Sequence, residues 1–432
     1  MQLSRWQHLH FIIGKSIAFE NAQYCCLGLG SSKSFSLHLQ IDDFMMQLYY
    51  MFRRSDKKWA GLVNVASAVE DHILKPSKSQ GTRWIGHRQA ALKALDRDYR
   101  VLRMLFEEMA TGLRADVTGV ASAEMKGHLK NFKTHKFLLY LGIYLDLTEE
   151  LSTLSAKFQA EDVPITSVRS NIEVAVMSLR ALLEAPTSGH HTQKIIREIQ
   201  GDDEGTLTFR DVDLPTTQNT ISEVENGVKM VIGNIITRLD ERFQTTYENK
   251  ILLAFDVFEP TNLPVGKEAL ATYGQKEITL LTNHFDAILS SQGCQTSQIN
   301  REWLMLKLDL AKNHRGVPFL KLWKLMLTEK SLRYPNVLHL VHIALVCPVA
   351  TAHVERQFSC IKRILGDWRL KLRLPMIETL LRISTEGPEL AEFNPKQSVQ
   401  KWHEESVGGR RPDTTPISNQ LNTSRTPAAD TV

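Results

Sequence analysis

Several residue groups in this sequence could do chemistry, and the densest lies between residues 331 and 403. Lys362, Arg363, Arg369, Lys371 and Arg373 form a basic run. With Arg356, residues 351–373 hold six basic and two acidic side chains, a local charge of +4. Such a run can face phosphates, or it can be an ordinary solvated helix face. Glu355 interrupts it, one residue on from Val354 and so about 100° round a helix from it, at the border of an apolar stripe. A lone carboxylate binds Mg2+ poorly, so a border charge is the plainer reading. His339 and His342 stand at i, i+3 without an acidic neighbour, which favours packing over metal binding. Cys25, Cys26, Cys294, Cys347 and Cys360 include no Cys-x2-Cys pair, and no Cys/His group has zinc spacing. No metal site and no cofactor is expected from these residues.

The elements that must position these groups read as helices. Ile41, Phe44, Met45, Leu48, Tyr49 and Phe52 trace one apolar face, with Asp42 and Asp43 expected in its first turn. Further stripes run through Phe137 to Phe158, Ile172 to Leu183 and Ile221 to Phe243. The polar stretch Glu198 to Asn219 reads mainly as loop, with room for one short strand at Thr206 to Phe209. Helices are expected again from Trp303 to Leu310 and from Phe319 to Leu327. Tyr334-Pro335-Asn336 opens an apolar helix that Cys347-Pro348 ends. Beyond it Val354, Phe358, Ile361 and Leu365 are spaced as one buried face. Leu338, Val341 and Leu345 join them as the expected core and dimerisation set.

Composition is compatible with a large folded core. Apolar residues make up 43% and charged ones 23% of 432, and 52 basic side chains face 48 acidic ones. This near-balance argues against a chain coated in positive charge but permits local basic patches. No window approaches the ~20 apolar residues of a membrane span, so no membrane partner is expected and a soluble chain is.

The order Tyr-Pro-Asn, apolar helix, Pro, Val-Glu-Arg-x-Phe-Ser, Lys-Arg-Ile, Arg-x-Lys-Leu resembles the C-terminal dimerisation region of hAT-family transposases. Leu380 to Pro388 and Trp402 continue it, and the flavour is similar to vertebrate zinc-finger proteins derived from hAT elements. Upstream, Tyr49 to Lys58 followed by Gly81-Thr82-Arg83-Trp84 resembles the segment that enters the family's helical insertion. Glu259 to Pro264 resembles the return from it. The resemblance implies a mainly α fold: a helical insertion domain plus the C-terminal helices of a truncated RNase H-like core, with few short strands. Together with patterning and composition, which alone mark the two ends, it divides the chain into an irregular segment (1–40), a helical insertion-like domain (41–254), a return linker (255–300), the dimerisation region (301–405) and a disordered tail (406–432).

In that family three carboxylates hold two divalent metals for DNA strand transfer. The resemblance places the third at Glu355, and the two others belong on strands ahead of Arg83-Trp84. Residues 1–40 contain no Asp and no Cys-x-x-His, and no BED zinc finger is present. Glu355 is thus expected as a vestige that does not act alone, with Mg2+ relevant only to a longer form holding all three. The resemblance also implies DNA contact at Arg83 and Trp84, the indole by base stacking; a core tryptophan is the alternative. The expected function is that of a nuclear, domesticated or degenerate transposase-like protein. It would act by self-association, with weak DNA binding and no catalysis. Two other readings stand beside it: part of an active transposase or nuclease, and a helical interaction scaffold that never touches nucleic acid.

Overall fold

The structure, a computed structural model, describes residues 36–73, 84–111, 119–160, 163–201, 207–214, 220–347, 352–366, 372–389 and 391–405. The chain forms two compact units, residues 1–353 and 354–432. It is mainly α, as the sequence patterning predicts.

The first unit begins with α1 (Ser36–Arg54) and α2 (Asp56–Ala68). The stripe read from the sequence is buried at Ile41, Phe44, Met45, Leu48 and Phe52. The helix starts at Ser36, however, so Asp42 and Asp43 lie beyond its first turn, and part of the expected irregular segment is helical. Next come α3 (Trp84–Arg97), α4 (Tyr99–Thr111), α5 (Gly119–Phe132) and α6 (His135–Gln159). Apolar side chains face every direction around the middle of α6, and Phe137 to Thr148 are buried without a break. A helix that is apolar all round must be covered all round. Here α3, α7 (Ser167–Glu184), α8 (His190–Glu198) and α9 (Thr220–Glu248) all pack against it.

Polar groups fix this packing. The buried Asp146 of α6 accepts from the backbone N–H groups of His191 (2.8 Å) and Thr192 (3.0 Å) and from the Thr192 hydroxyl (2.7 Å). A carboxylate from a different helix thereby satisfies the open N-terminus of α8. The approach leaves no room for a side chain at Gly189, whose Cβ would overlap Asp146.

Between α8 and α9 the stretch expected mainly as loop holds a three-stranded antiparallel sheet of β1 (Ile199–Gly201), β2 (Leu207–Phe209), which falls in the short strand expected at Thr206 to Phe209, and β3 (Val212–Leu214). Its registers pair Ile199 with Phe209 and Leu207 with Leu214. The β2–β3 turn holds Arg210 and Asp211 at φ 49° and 64°.

The second half of the unit carries α10 (Lys250–Ala254), α11 (Lys267–Thr272), α12 (Gln275–Ser291), α13 (Thr296–Asn313), α14 (Phe319–Glu329) and α15 (Val337–Val346). The breakers at Glu259 to Gly266 shape a short 3-10 turn (Pro260–Asn262) within this unit, with Pro260 and Leu263 buried. Phe258 lies edge-on to both Trp303 and Trp323, at 5.9 and 5.7 Å. The Trp323 indole N–H donates to the Phe258 carbonyl at 3.1 Å. The second unit consists of α16 (Ala352–Ile364), which begins at its boundary, α17 (Leu374–Glu386) and α18 (Pro395–Glu405).

Candidate functional site

Tyr334-Pro335-Asn336, which the sequence marks only as punctuation, is a polar clamp. Glu302 of α13 accepts from the backbone N–H of Asn336 (2.8 Å) and of Val337 (2.9 Å), and from the Asn336 side-chain amide. Its negative charge sits at the positive end of α15. The Asn336 side-chain Oδ1 in turn accepts from the Gln295 backbone N–H at 2.6 Å. The buried Tyr334 donates its hydroxyl to Asp309 at 3.2 Å. Burial alone would raise the Asp309 carboxyl, but hydrogen bonds from Asn313 and Tyr334 outweigh it and hold it low. Two residues before Asp309, the fully buried Lys307 donates to the carbonyls of Ala271 (2.8 Å) and Tyr273 (2.9 Å), so a cation closes the negative end of α11. Desolvation lowers its pKa.

With α13 and α15 fixed to each other, the inward faces close. Leu338 and Val341 are core residues and Leu345 is half-buried. Of the expected core and dimerisation set, the α15 members therefore belong to the core of their own unit. Val337, Leu338, Leu340, Val341, Ile343 and Ala344 all pack inside their own unit.

Over α16 the opposite correction applies. Phe358, expected on a buried face, is 60% exposed, and Ile361 and Leu365 are only half-buried. Among the described side chains of α16 the buried one is Cys360, whose thiol donates to the Ser384 hydroxyl of α17 at 3.0 Å. Among its described residues α17 buries no side chain, and Leu374, Met376 and Ile383 are exposed. Phe393, Val399 and Trp402 are exposed in the same unit. These helices carry one-sided apolar patterns, yet among the described residues they bury little apolar surface against one another.

A further apolar surface went unread in the sequence. On α13 the buried side is Ile299, Trp303, Leu306 and Leu310, while Leu304, Met305 and Leu308 are exposed on the other side. The signal was available in projection, since 304 and 308 fall on the side of a 3.6-residue helix away from 306 and 310. A helix pattern read only for its existence does not reveal a second apolar side.

Lys362, Arg363 and Arg373 are exposed, so they are open to a ligand. Arg83, Arg369 and Lys371 lie outside the described residues, as do the side chains of Trp84, Val354 and Glu355. Among the described residues no group of three His, Cys, Asp or Glu could hold a metal ion, and no helix is long and apolar enough to cross a membrane. His191 is paired with Glu149 at 3.2 Å.

Residues 301–386 match the family model described as the hAT family C-terminal dimerisation region. The match supports a hAT transposase-derived protein and covers both α13 with its clamp and the thinly packed α16 and α17. No solved structure matches the chain.

Proposed function

We infer that this hAT transposase-derived chain works by associating with a second copy of itself. The two apolar surfaces of the matched segment, Leu304, Met305 and Leu308 on α13 and Phe358, Met376 and Ile383 on α16 and α17, are what the copies cover. One observation carries the reading. The region that matches a dimerisation model is also a region where amphipathic helices leave large apolar side chains in water. Removing such a side chain from water contributes about 1.5–3 kcal/mol, and contiguous patches of this kind mark protein–protein surfaces.

The rest of the functional reading stays within the same proposal. Lys362, Arg363 and Arg373 supply a weak, salt-sensitive DNA contact. The chain works in the nucleus without strand-transfer activity, because these 432 residues supply one carboxylate, Glu355, of the three that the family resemblance calls for.

Light scattering on the full chain during size exclusion tests the association. The expected mass is a dimer or larger. Phe358→Glu with Ile383→Glu should raise the dissociation constant at least about tenfold, because each carboxylate would be desolvated at the contact. A full chain that stays monomeric at tens of micromolar would overturn the reading.

A further inference from the structure

Within the matched segment α15 stands apart from the other helices, because it carries no permanently charged side chain. Its ten residues are apolar except for His339 and His342. In contrast, α13, α14, α16 and α17 each hold lysine or arginine together with a carboxylate. A helix without ions suits cover on every side. Six residues of α15 pack inside their own unit, and what remains outward is a stripe of His339, His342 and Val346, at i, i+3 and i+7. Val346 is 63% exposed, and His342 is exposed beside the half-buried His339.

The two imidazoles lie 6.4 Å apart between ring centres, with their planes at 70°. An imidazole is largely uncharged above about pH 7, so the stripe can be covered without burying an ion. It takes up a proton as the pH falls through about 6. Partial burial, and then the neighbouring His339, hold the His342 pKa below its ordinary value. Two cations this close also repel each other. Among the described residues no carboxylate is paired with either ring. Both α12 and α13 pack against α15. On α13, Glu302 serves the start of α15, Asp309 serves Tyr334 and Lys307 serves the end of α11, while Arg301 and Lys312 are exposed. On α12, Glu277 acts on Tyr273, His284 lies against Phe285, and Lys276 and Asp286 are exposed.

We propose that the outer stripe of α15 is a third part of the surface that a second copy covers, and that protonation of His339 and His342 releases it, so that mild acid dissociates the copies. This regulation rests on the self-association reading above. Two observations make a second copy the occupant. The dimerisation match over 301–386 encloses α15, and the stripe holds no ion that would keep it in water at neutral pH. Proton linkage fixes the sign. Cover disfavours the cationic imidazole, so copies release protons as they join, and the dissociation constant rises as the pH falls.

Sedimentation equilibrium of the full chain at pH 7.5 and 5.5, at fixed ionic strength, reads the dissociation constant. Circular dichroism under the same conditions checks that the fold persists. The constant should rise at least about tenfold at the lower pH, since each imidazole lowered by one pKa unit contributes up to about tenfold. His339→Gln/His342→Gln keeps neutral polar side chains, so it should associate as the wild type does at pH 7.5 and lose most of the rise. His339→Lys/His342→Lys fixes the charge and should weaken association at least about tenfold already at pH 7.5. Neither histidine is buried, so both variants should keep the melting temperature of the monomer. A wild-type chain that is monomeric at both pH values overturns the self-association reading and this regulation with it. A dimer whose constant is the same at both overturns the regulation alone, as does a glutamine variant that keeps the full rise. If the glutamine variant alters only the pH dependence of melting, the stripe is covered within its own copy, and the regulation is again overturned.

Discussion

The helices of α6 to α15 and those of α16 to α18 draw on much the same residues, yet they meet opposite fates. In the first group most leucines and phenylalanines are taken out of water by neighbours in the same chain, with Trp303, Trp323 and Phe258 at the centre and Leu304 and Leu308 of α13 as exceptions. In the second group the apolar side chains are spaced as regularly, but Cys360 is the one buried among the described residues and Phe358, Leu374 and Ile383 stand in water. Amphipathic spacing states that a face will be covered. It leaves open whether the cover comes from the same chain or from another. The dimerisation match over 301–386 falls where the two regimes meet.

The sharpest way to break this comparison is to truncate one large side chain in each group. Trp323→Ala should destabilise the first unit by about 3–5 kcal/mol, through the lost ring and the orphaned Phe258 carbonyl. Ile383→Ala in the isolated monomer should change stability by less than about 0.5 kcal/mol. Chemical denaturation at protein concentrations well below the dissociation constant measures both. Similar losses at the two sites would mean that the second unit has a core of its own.

A smaller effect separates packing from polar fixation. Glu302→Ala removes the acceptor for two backbone N–H groups at the start of α15 and for the Asn336 amide. It should cost about 2–3 kcal/mol in the same titration. Glu302→Gln keeps one acceptor oxygen and should recover part of that. A loss below about 0.5 kcal/mol for the alanine variant would show that α15 is held by its apolar face alone.

The smallest expected effect is a pH dependence confined to the first unit. Burial, partly offset by Arg169 and reinforced by Glu259 and Glu173, pushes the Asp256 carboxyl up to about 6. The folded state then binds this proton more tightly than the unfolded one. Stability contributed by the protonated group is fully present below about pH 4 and is lost as pH rises through about 6. Asp256→Asn should flatten that slope and stabilise the chain at pH 7 by on the order of 1 kcal/mol, after discounting for solvent screening. Melting temperatures between pH 4.5 and 7.5 give the readout, and an unchanged slope in the variant would assign the dependence to other groups.

Much of this was legible in the residues themselves. The α1 stripe, the fully buried α6 and the helices around Trp303 and Trp323 follow from apolar residues at helical spacing, which local geometry converts directly into faces. The β2–β3 hairpin was not legible, because its turn lacks the Asn-Gly or Asp-Gly that normally signals two positive φ angles. Arg210 and Asp211 adopt them instead, with Arg210 paired to Asp96 and Glu198, residues that only the fold brings close.

The sequence alone determined the helical class, the apolar faces and the dimerisation-region motif from Tyr334 to Lys371, since each depends on spacing within a few turns. The tertiary structure decided which of those faces found cover. It buried Leu338 and Val341, left Phe358 and Ile383 in water, turned Glu302 into the cap of a helix 34 residues away, and set Leu304 and Leu308 on an open side. Burial depends on what lies across a face, and a sequence pattern describes only one side of a contact.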